Sequence, residues 1–526
     1  MADKPASRTL PDLIDELAQR YPEREAVIGS SQRYTYRTFR EEVRRLARGL
    51  HALGVRRGDK VAILMGNRPE WLIADFAITL LGGVMVAVNT WATARELQHI
   101  LSHSDTRFLI TVARFLKHDY AAILPTLDLP QLERVVCVGS NPLADWLAYD
   151  ELARLGGPVP ESALDAAQRE VRPQHLAYLL YTSGSTALPK GVQIQHAPLI
   201  DNMWQIGERQ KVTEHDRLWL AVSLFWGLGC ENALFNLFTH GGCVVLQEHF
   251  DAGEALELIE RERCSVFYGT PNMAQALYEH PDRAKRDLSS LRGGATIGTP
   301  EQIMRVAALG AREICNIYGS TETYGNSNVA DARDPIDKRI ANVGRPLEGV
   351  EQRIVDPQTH KVLGPGEVGE IRVKGYVTTG YYKDPERTRE AFDEHGFFRT
   401  GDLGMLDADG YLHFRGRIKE MVKTGGINVA PIEVEEVLLA HPAVQAAFVT
   451  GVPDPVHDEL LAAVIIPKRG ATLTEREITE HCRKALAAYK VPRLFRFAAE
   501  EDLPLTTTGK VQKNRLASTF FGEPPG

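Results

Sequence analysis

The chain has 526 residues, 44% of them hydrophobic and 25% charged, with a formal net charge of -8, so several cores or subdomains are expected. No long Lys/Arg run breaks the acidic balance, which disfavours duplex DNA and anionic lipid as partners, and no apolar run approaches the roughly 20 residues needed to span a bilayer. The cysteines Cys137, Cys230, Cys243, Cys264, Cys315 and Cys482 are scattered without a CxxC pair, a pattern that suits a reducing cytoplasm and argues against a structural zinc.

The first stretch, "MADKPASRTLPDLIDELAQRYPEREAV", lacks the apolar core of a secretory signal, which keeps a cytoplasmic location as the expectation. From Lys60 the text alternates: a β-type run, a helical stretch, Gly82-Gly83, then another β-type run. The same alternation recurs in "TRFLITVARFLKHDYAAILPTL" with "RVVCVGS", and in "CSVFYGTPNMAQALYEH". Strands alternating with helices imply βαβ units and parallel sheets covered on both faces.

Between lies "YLLYTSGSTALPKGVQIQH", Tyr178 to His196. Glycines and small hydroxyls let backbone N–H groups crowd around an anion, and Lys190 adds a positive charge, so phosphate is the natural guest. A Walker loop needs Gly-Lys-Ser/Thr where a strand hands over to a helix. Here no Gly precedes Lys190 and no Ser/Thr follows it, so that reading fails on spacing while a nucleotide-phosphate reading survives beside an ordinary Ser/Thr/Gly turn. Further on, "NIYGSTETYG" follows an apolar β-type run, where open α/β sheets put their ligands. Tyr318 can stack on a purine, Thr321 can bond a phosphate oxygen and Glu322 can bind magnesium, a hard ion; taken alone, Glu322 reads more readily as a helix-capping or solvated carboxylate.

Beyond Val343 short strands with Gly and Asp-Gly turns suit a smaller antiparallel layer. "FFRTGDLG" is read as placing Asp402 in a turn, where a carboxylate can accept both hydroxyls of a ribose. "RGRIKEMVKTGG" supplies Arg417, Lys419, Lys423 and the pair Gly425-Gly426. A compact α+β text follows, with a helix from about Ile432, strands at "AAFVTGV" and "LAAVIIPK", and a helix from about Glu475. Near the end, "PLTTTGKVQKNR" carries Lys510 on a Gly-flanked loop.

These stations, in this order, resemble the adenylate-forming superfamily: acyl-CoA synthetases, peptide-synthetase adenylation domains and firefly-luciferase-like enzymes. The resemblance spans essentially the whole chain. It implies an α/β fold: a large N-terminal domain of doubly wound βαβ sheets with a small antiparallel layer, residues 1–416, and a small mobile α+β C-terminal domain, residues 417–526. It implies Thr182, Ser183, Gly184, Ser185, Thr186 and Lys190 as the phosphate loop, Tyr318 with Gly319 as the adenine side, Thr321 and Glu322 as phosphate and magnesium contacts, and Asp402 with Arg417 on the ribose. Lys510, Thr186 and Glu322 take the catalytic roles, and Lys419 the hinge. Trp226, Gly269, Gly294 and Gly298 match acyl-pocket walls, and Gly425 with Gly426 the thiol tunnel. Trp226 also reads as a core aromatic, and the glycines as backbone requirements. Ala187 stands where the loop usually has Gly, which adds strain of roughly 1 kcal/mol if that site needs a positive φ.

The chemistry behind these residue types is direct. A carboxylate must first attack the α-phosphorus of ATP and expel pyrophosphate, and a mobile ammonium such as Lys510 offsets the repulsion of the two anions. Two successive reactions at one centre then call for two arrangements of a small domain. The expected activity is that of an AMP-forming carboxylate–CoA ligase using ATP, Mg2+ and coenzyme A. The expected substrate is a medium- or long-chain or bulky cyclic acid, because the pocket glycines leave room. Two alternatives stand beside it: transfer to a carrier-protein pantetheine, and a non-catalytic nucleotide-binding regulator. Whether the chain forms a homodimer is left open.

Overall fold

The computed structural model describes residues 3–182, 188–424, 427–454, 458–505 and 511–522. Packing divides the chain into two units, Met1–Glu351 with Val373–Phe398, and Gln352–Arg372 with Arg399–Gly526.

The first unit carries two large sheets. One has seven strands, in the order Lys190–Gln195, Leu176–Thr182, Val84–Ala87, Lys60–Leu64, Thr106–Val112, Arg134–Val138 and Leu147–Ala148. All pair in parallel except the edge pair Leu176–Thr182 with Lys190–Gln195. The other has eight, in the order Asn328–Val329, Glu313–Tyr318, Gly293–Thr296, Val266–Tyr268, Arg217–Leu220, Cys243–Leu246, Glu25–Ile28 and Arg33–Thr35. It too is parallel except at its two edges. The βαβ expectation therefore holds. The unit Lys60–Leu64, helix Pro69–Leu80, strand Val84–Ala87 shows why: Pro69 sits at the first helical turn, where its missing N–H costs nothing, and every residue of the helix except Glu70 is buried. A helix apolar all round belongs in a core. Its Phe76 ring meets Phe39, Phe235 and Phe238 at centroid distances of 5.7, 5.8 and 5.8 Å, so this aromatic cluster cements helices from both sheets.

A four-stranded sheet follows, in the order Glu351–Val355, Gly369–Lys374, Phe398–Leu406 and Leu412–Arg417. The rest of the second unit is a five-stranded sheet built on the long antiparallel pair Val444–Asp454 and Asp458–Pro467. Helices Pro431–Leu439 and Glu475–Ala485 bury Val434, Leu438, Ile478 and Cys482 in its core. The packing division does not fall at Arg417, because Phe398–Leu406 and Leu412–Arg417 pair with each other inside the second unit. Contact density and hinge position are separate properties, and a cut at Arg417 concerns only the second.

Candidate active site

Tyr318, Tyr268, Thr296 and Thr182 all stand at the carboxyl ends of their strands, where open parallel sheets leave a crevice for ligand. Thr182 pairs with Lys190 across the antiparallel edge. The candidate phosphate loop thus joins two strands of an antiparallel pair, whereas a Walker loop joins a strand to a helix. Ser183, Gly184, Ser185, Thr186 and Ala187 lie outside the described residues, as do Gly425, Gly426 and Lys510. The Thr182 hydroxyl is buried without a hydrogen-bond partner among the described residues.

The segment Gly380–Tyr382 runs beside strand Lys190–Gln195. Val192 and Tyr381 form an antiparallel bridge, Gln193 N donates to Gly380 O at 3.2 Å, and Tyr382 N to Gly191 O at 2.8 Å. This backbone pairing delivers Tyr381 to Lys190. The Lys190 ammonium donates to the Tyr381 hydroxyl at 2.7 Å, pairs with Glu322 Oε1 at 2.8 Å and lies 4.1 Å from the centroid of the Tyr381 ring. The Tyr381 hydroxyl in turn donates to Glu322 Oε1 at 3.1 Å. Burial pushes the Glu322 carboxyl up, but the Lys190 charge and the hydrogen bonds from Lys190 and Tyr381 outweigh it and hold the group below the usual carboxylate range. A buried carboxylate kept ionised suits a hard divalent cation.

Glu322 is aimed by a single 3-10 turn, Thr321–Thr323, that follows strand Glu313–Tyr318. Ser320 N donates to Thr323 Oγ1 at 2.9 Å, the Thr323 hydroxyl donates back to Ser320 O at 3.0 Å, and Thr378 N donates to Glu322 O at 2.7 Å. Tyr318, largely buried, is paired with Asn328; Gly319 is exposed and Thr321 half-buried. Lys190, Thr321 and Glu322 therefore share one corner of the first unit.

Trp226 sits just before a π-helical turn, Leu228–Ala233. Its ring meets Trp91 edge-on at 5.4 Å and Phe225 at 5.5 Å. The three glycines differ from one another. Gly294 has φ +124° and pairs with Phe267 in the parallel register. A Cβ there would lie 1.9 Å from the Phe267 carbonyl oxygen, so the backbone alone requires glycine and the width argument does not hold for it. Gly298 is exposed, and a Cβ on it would meet Gln302 Oε1 at 2.6 Å. That oxygen accepts from Thr299 N at 2.9 Å in the capping box of helix Pro300–Ala308. A valine at 298 thus strikes a helix cap, and Gly298 is no clean probe of pocket size. Gly269 is buried, and its Cβ would meet only the far end of the Phe267 ring, at 2.7 Å.

In the second unit Asp402 and Arg417 face each other across the pair Phe398–Leu406 and Leu412–Arg417, with Arg417 Nε 3.3 Å from Asp402 Oδ1. Asp402 is thus in a strand, not in a turn. Gly401 has φ +70°, a local kink inside the strand that reads in sequence as a turn signal. Lys419 is exposed on the 3-10 turn Ile418–Glu420 that ends this strand pair.

Two groups at the site escaped the sequence reading. Tyr381, in "GYYKDPERT", carries no local mark of its link to Lys190 and Glu322. Glu231, inside "LFWGLGCENALF", did carry one: a lone acid in an apolar run. It is fully buried, and neither carboxyl oxygen has a hydrogen-bond partner among the described residues. Burial, with the Glu322 charge added, pushes its carboxyl well above the usual range.

The chain matches known enzymes in sequence and fold. The model for AMP-binding enzymes matches residues 14–382, and that for the AMP-binding enzyme C-terminal domain matches residues 433–510. The acyl-CoA ligase SID4 of Ajellomyces capsulatus is 34% identical over 533 residues, covering 97% of this chain and 90% of the relative. Among solved structures, the anthranilate CoA ligase AuaEII in complex with anthranoyl-AMP superposes with a TM-score of 0.86 at 29% identity, covering 98% of this chain and 97% of that one. ATP-bound MatB from Rhodopseudomonas palustris gives 0.85 at 28% identity, covering 98% and 100%. These likenesses show that the chain belongs to the AMP-binding, adenylate-forming enzyme family, as an AMP-forming acid–thiol ligase of the acyl-CoA synthetase type.

Proposed function

We propose that the enzyme activates a medium- or long-chain or bulky cyclic carboxylic acid to its acyl-adenylate, releasing pyrophosphate, and then transfers the acyl group to the thiol of free coenzyme A. The observation that carries this reading is the Lys190–Glu322–Tyr381 cluster at the carboxyl ends of the sheet. It holds an ammonium suited to ATP phosphates and an ionised carboxylate suited to a cation side by side. Glu322 would hold Mg2+, which offsets phosphate charge when bound. Thr182 to Lys190 would cradle the phosphates, Tyr318 with Gly319 would face the adenine, and Asp402 with Arg417 would hold the ribose. Lys510 would approach the acid and the α-phosphate as charge develops. Residues 417–526 would swing about Lys419 to bring Gly425 and Gly426 to the pantetheine arm for the second step. Trp226 and the buried Gly269 would bound the acyl pocket; the anthranoyl ligand of the structural relative supports a ring as one acceptable shape. All six cysteines are free and buried, which fits the reducing cytoplasm.

The test is a pyrophosphate-release screen over carboxylic acids, with and without CoA. Acid-dependent release without CoA, and thioester only with CoA, is the expected result. Thioester formed on a carrier-protein pantetheine but not on CoA would move the reading to carrier loading.

A further inference from the structure

The second unit holds an ion-pair network at the foot of the stretch that carries Lys510. Leu505 and Val511 form an antiparallel bridge. Gln512 clasps the same place twice: its N donates to Pro504 O at 2.7 Å, and its Nε2 donates to Leu505 O at 2.7 Å. Pro504 and Leu505 are thereby held against Val511 and Gln512. The next residue, Lys513, opens the last helix, Lys513–Phe521, which is anchored by Leu516, fully buried against Val464, Ile466 and Leu503.

The Lys513 ammonium turns inward. It lies 2.7 Å from Glu435 Oε1 and 2.9 Å from Oε2, a two-oxygen contact, and 3.8 Å from Glu420 Oε2. Glu435, on helix Pro431–Leu439, is buried and also accepts from Val449 N at 2.7 Å. Glu420 closes the 3-10 turn that holds Lys419. One ammonium therefore ties the foot of the Lys510 stretch to the helix behind it and to the turn at the expected hinge.

Such a tie is costly to build. Two ions taken out of water must be repaid by close geometry and further hydrogen bonds, and a surface pair would serve as well for mere solubility. What a half-buried, multiply held lysine supplies is a defined position for the chain on either side of it.

We propose that Lys513, held by Glu435 and Glu420, is a positioning residue for the adenylation step: it anchors the chain directly after Lys510, at Val511–Lys513, and couples that anchor to the turn at Lys419. The assignment rests on Lys510 acting in adenylation as proposed above. Loss of Lys513 misplaces Lys510 without removing it, and a misplacement of about 1 Å in a catalytic group costs on the order of a hundredfold in rate.

The full-length enzyme, with the acid of fastest pyrophosphate release in the screen, provides the test. Lys513→Met should lower kcat for pyrophosphate release about a hundredfold, with KM for ATP and acid little changed and with thioester formation from supplied acyl-adenylate nearly intact. Lys513→Arg should restore most of the rate. Glu435→Gln, which keeps an acceptor for Val449 N, should fall in the same direction by less. Added to Lys510→Ala, Lys513→Met should cause no further loss in pyrophosphate release. Equal losses in both half-reactions with no rescue by arginine would show a purely structural pair and overturn the assignment, as would wild-type pyrophosphate release in a folded Lys513→Met protein. The premise is read separately: if Lys510→Ala alone leaves pyrophosphate release intact, the role of Lys510 falls and the positioning role falls with it.

Discussion

Tyr381→Phe tests the electrostatics of the Lys190–Glu322 corner with the smallest possible change. The phenol oxygen accepts from Lys190 at 2.7 Å and donates to Glu322 at 3.1 Å. The substitution removes both bonds but keeps the ring under the ammonium and leaves the direct 2.8 Å contact between Lys190 and Glu322. A hydrogen bond to a charged group is worth about 1.5–3 kcal/mol, and each 1.36 kcal/mol of differential interaction is tenfold in an ionisation equilibrium. Without the donor, Glu322 becomes roughly ten- to a hundredfold easier to protonate. The sign follows: Glu322 is held below the usual range in the folded enzyme, so its ionised form persists as pH falls and is lost only on the acid side. In the variant that loss comes at higher pH. Acid-dependent pyrophosphate release, measured from pH 4.5 to 8.5, should show its acid limb displaced upward while the rate near pH 8 changes little. A uniform fall at every pH, with the acid limb in place, would mean that Tyr381 serves packing and that Glu322 does not set the limb.

Asp75 offers a stability test. It is fully buried, accepts from the Tyr178 hydroxyl at 2.9 Å, and burial pushes its carboxyl up to about 8. Against an unfolded value near 4, the folded state holds the extra proton, so stability falls as pH rises through this window. Asp75→Asn should remove that fall: its stability gain over wild type, by urea unfolding, should be near zero at pH 4 and reach at most about 5 kcal/mol at pH 8; equal gaps at both values would refute the assignment. Gly294→Ala drives a Cβ into the Phe267 carbonyl and should abolish soluble expression or lower Tm sharply. Gly269→Ala asks only a ring to move, so it should fold and change kcat/KM ratios between bulky and small acids by about tenfold; a uniform loss across acids would take Gly269 out of the pocket. Gly425→Leu should leave pyrophosphate release working and block thioester formation, and unchanged thioester yield would place the tunnel elsewhere.

The sheets were legible because buried parallel strands and their helices write a two-period text, as in Lys60 to Ala87. Lys190 and Glu322 were legible as charges set among small hydroxyls and glycines, but their pairing at 2.8 Å was not. Tyr381 was not, since it reaches Lys190 by a backbone bridge across 191 residues of sequence. Asp402 was legible as a chemical group but misread in its setting, because a kinked glycine inside a strand looks like a turn. Gly294 misled for a related reason: absence of a side chain records what the neighbours forbid as readily as what a ligand needs. Glu231 is a single acid in an apolar run, with no periodic partner to mark it.

The Lys190–Glu322 pair neutralises its own corner. A free anion drawn to Lys190 would strand the buried carboxylate, and a lone cation drawn to Glu322 would strand the ammonium; stranding one member of a buried pair is expensive, about 3–5 kcal/mol. A guest that brings both signs at once, as a metal–triphosphate complex does, replaces each partner with another and leaves nothing uncompensated. If the corner takes ATP and its metal as proposed, it would work as a two-key lock, discriminating against bare phosphate and bare metal without any steric gate.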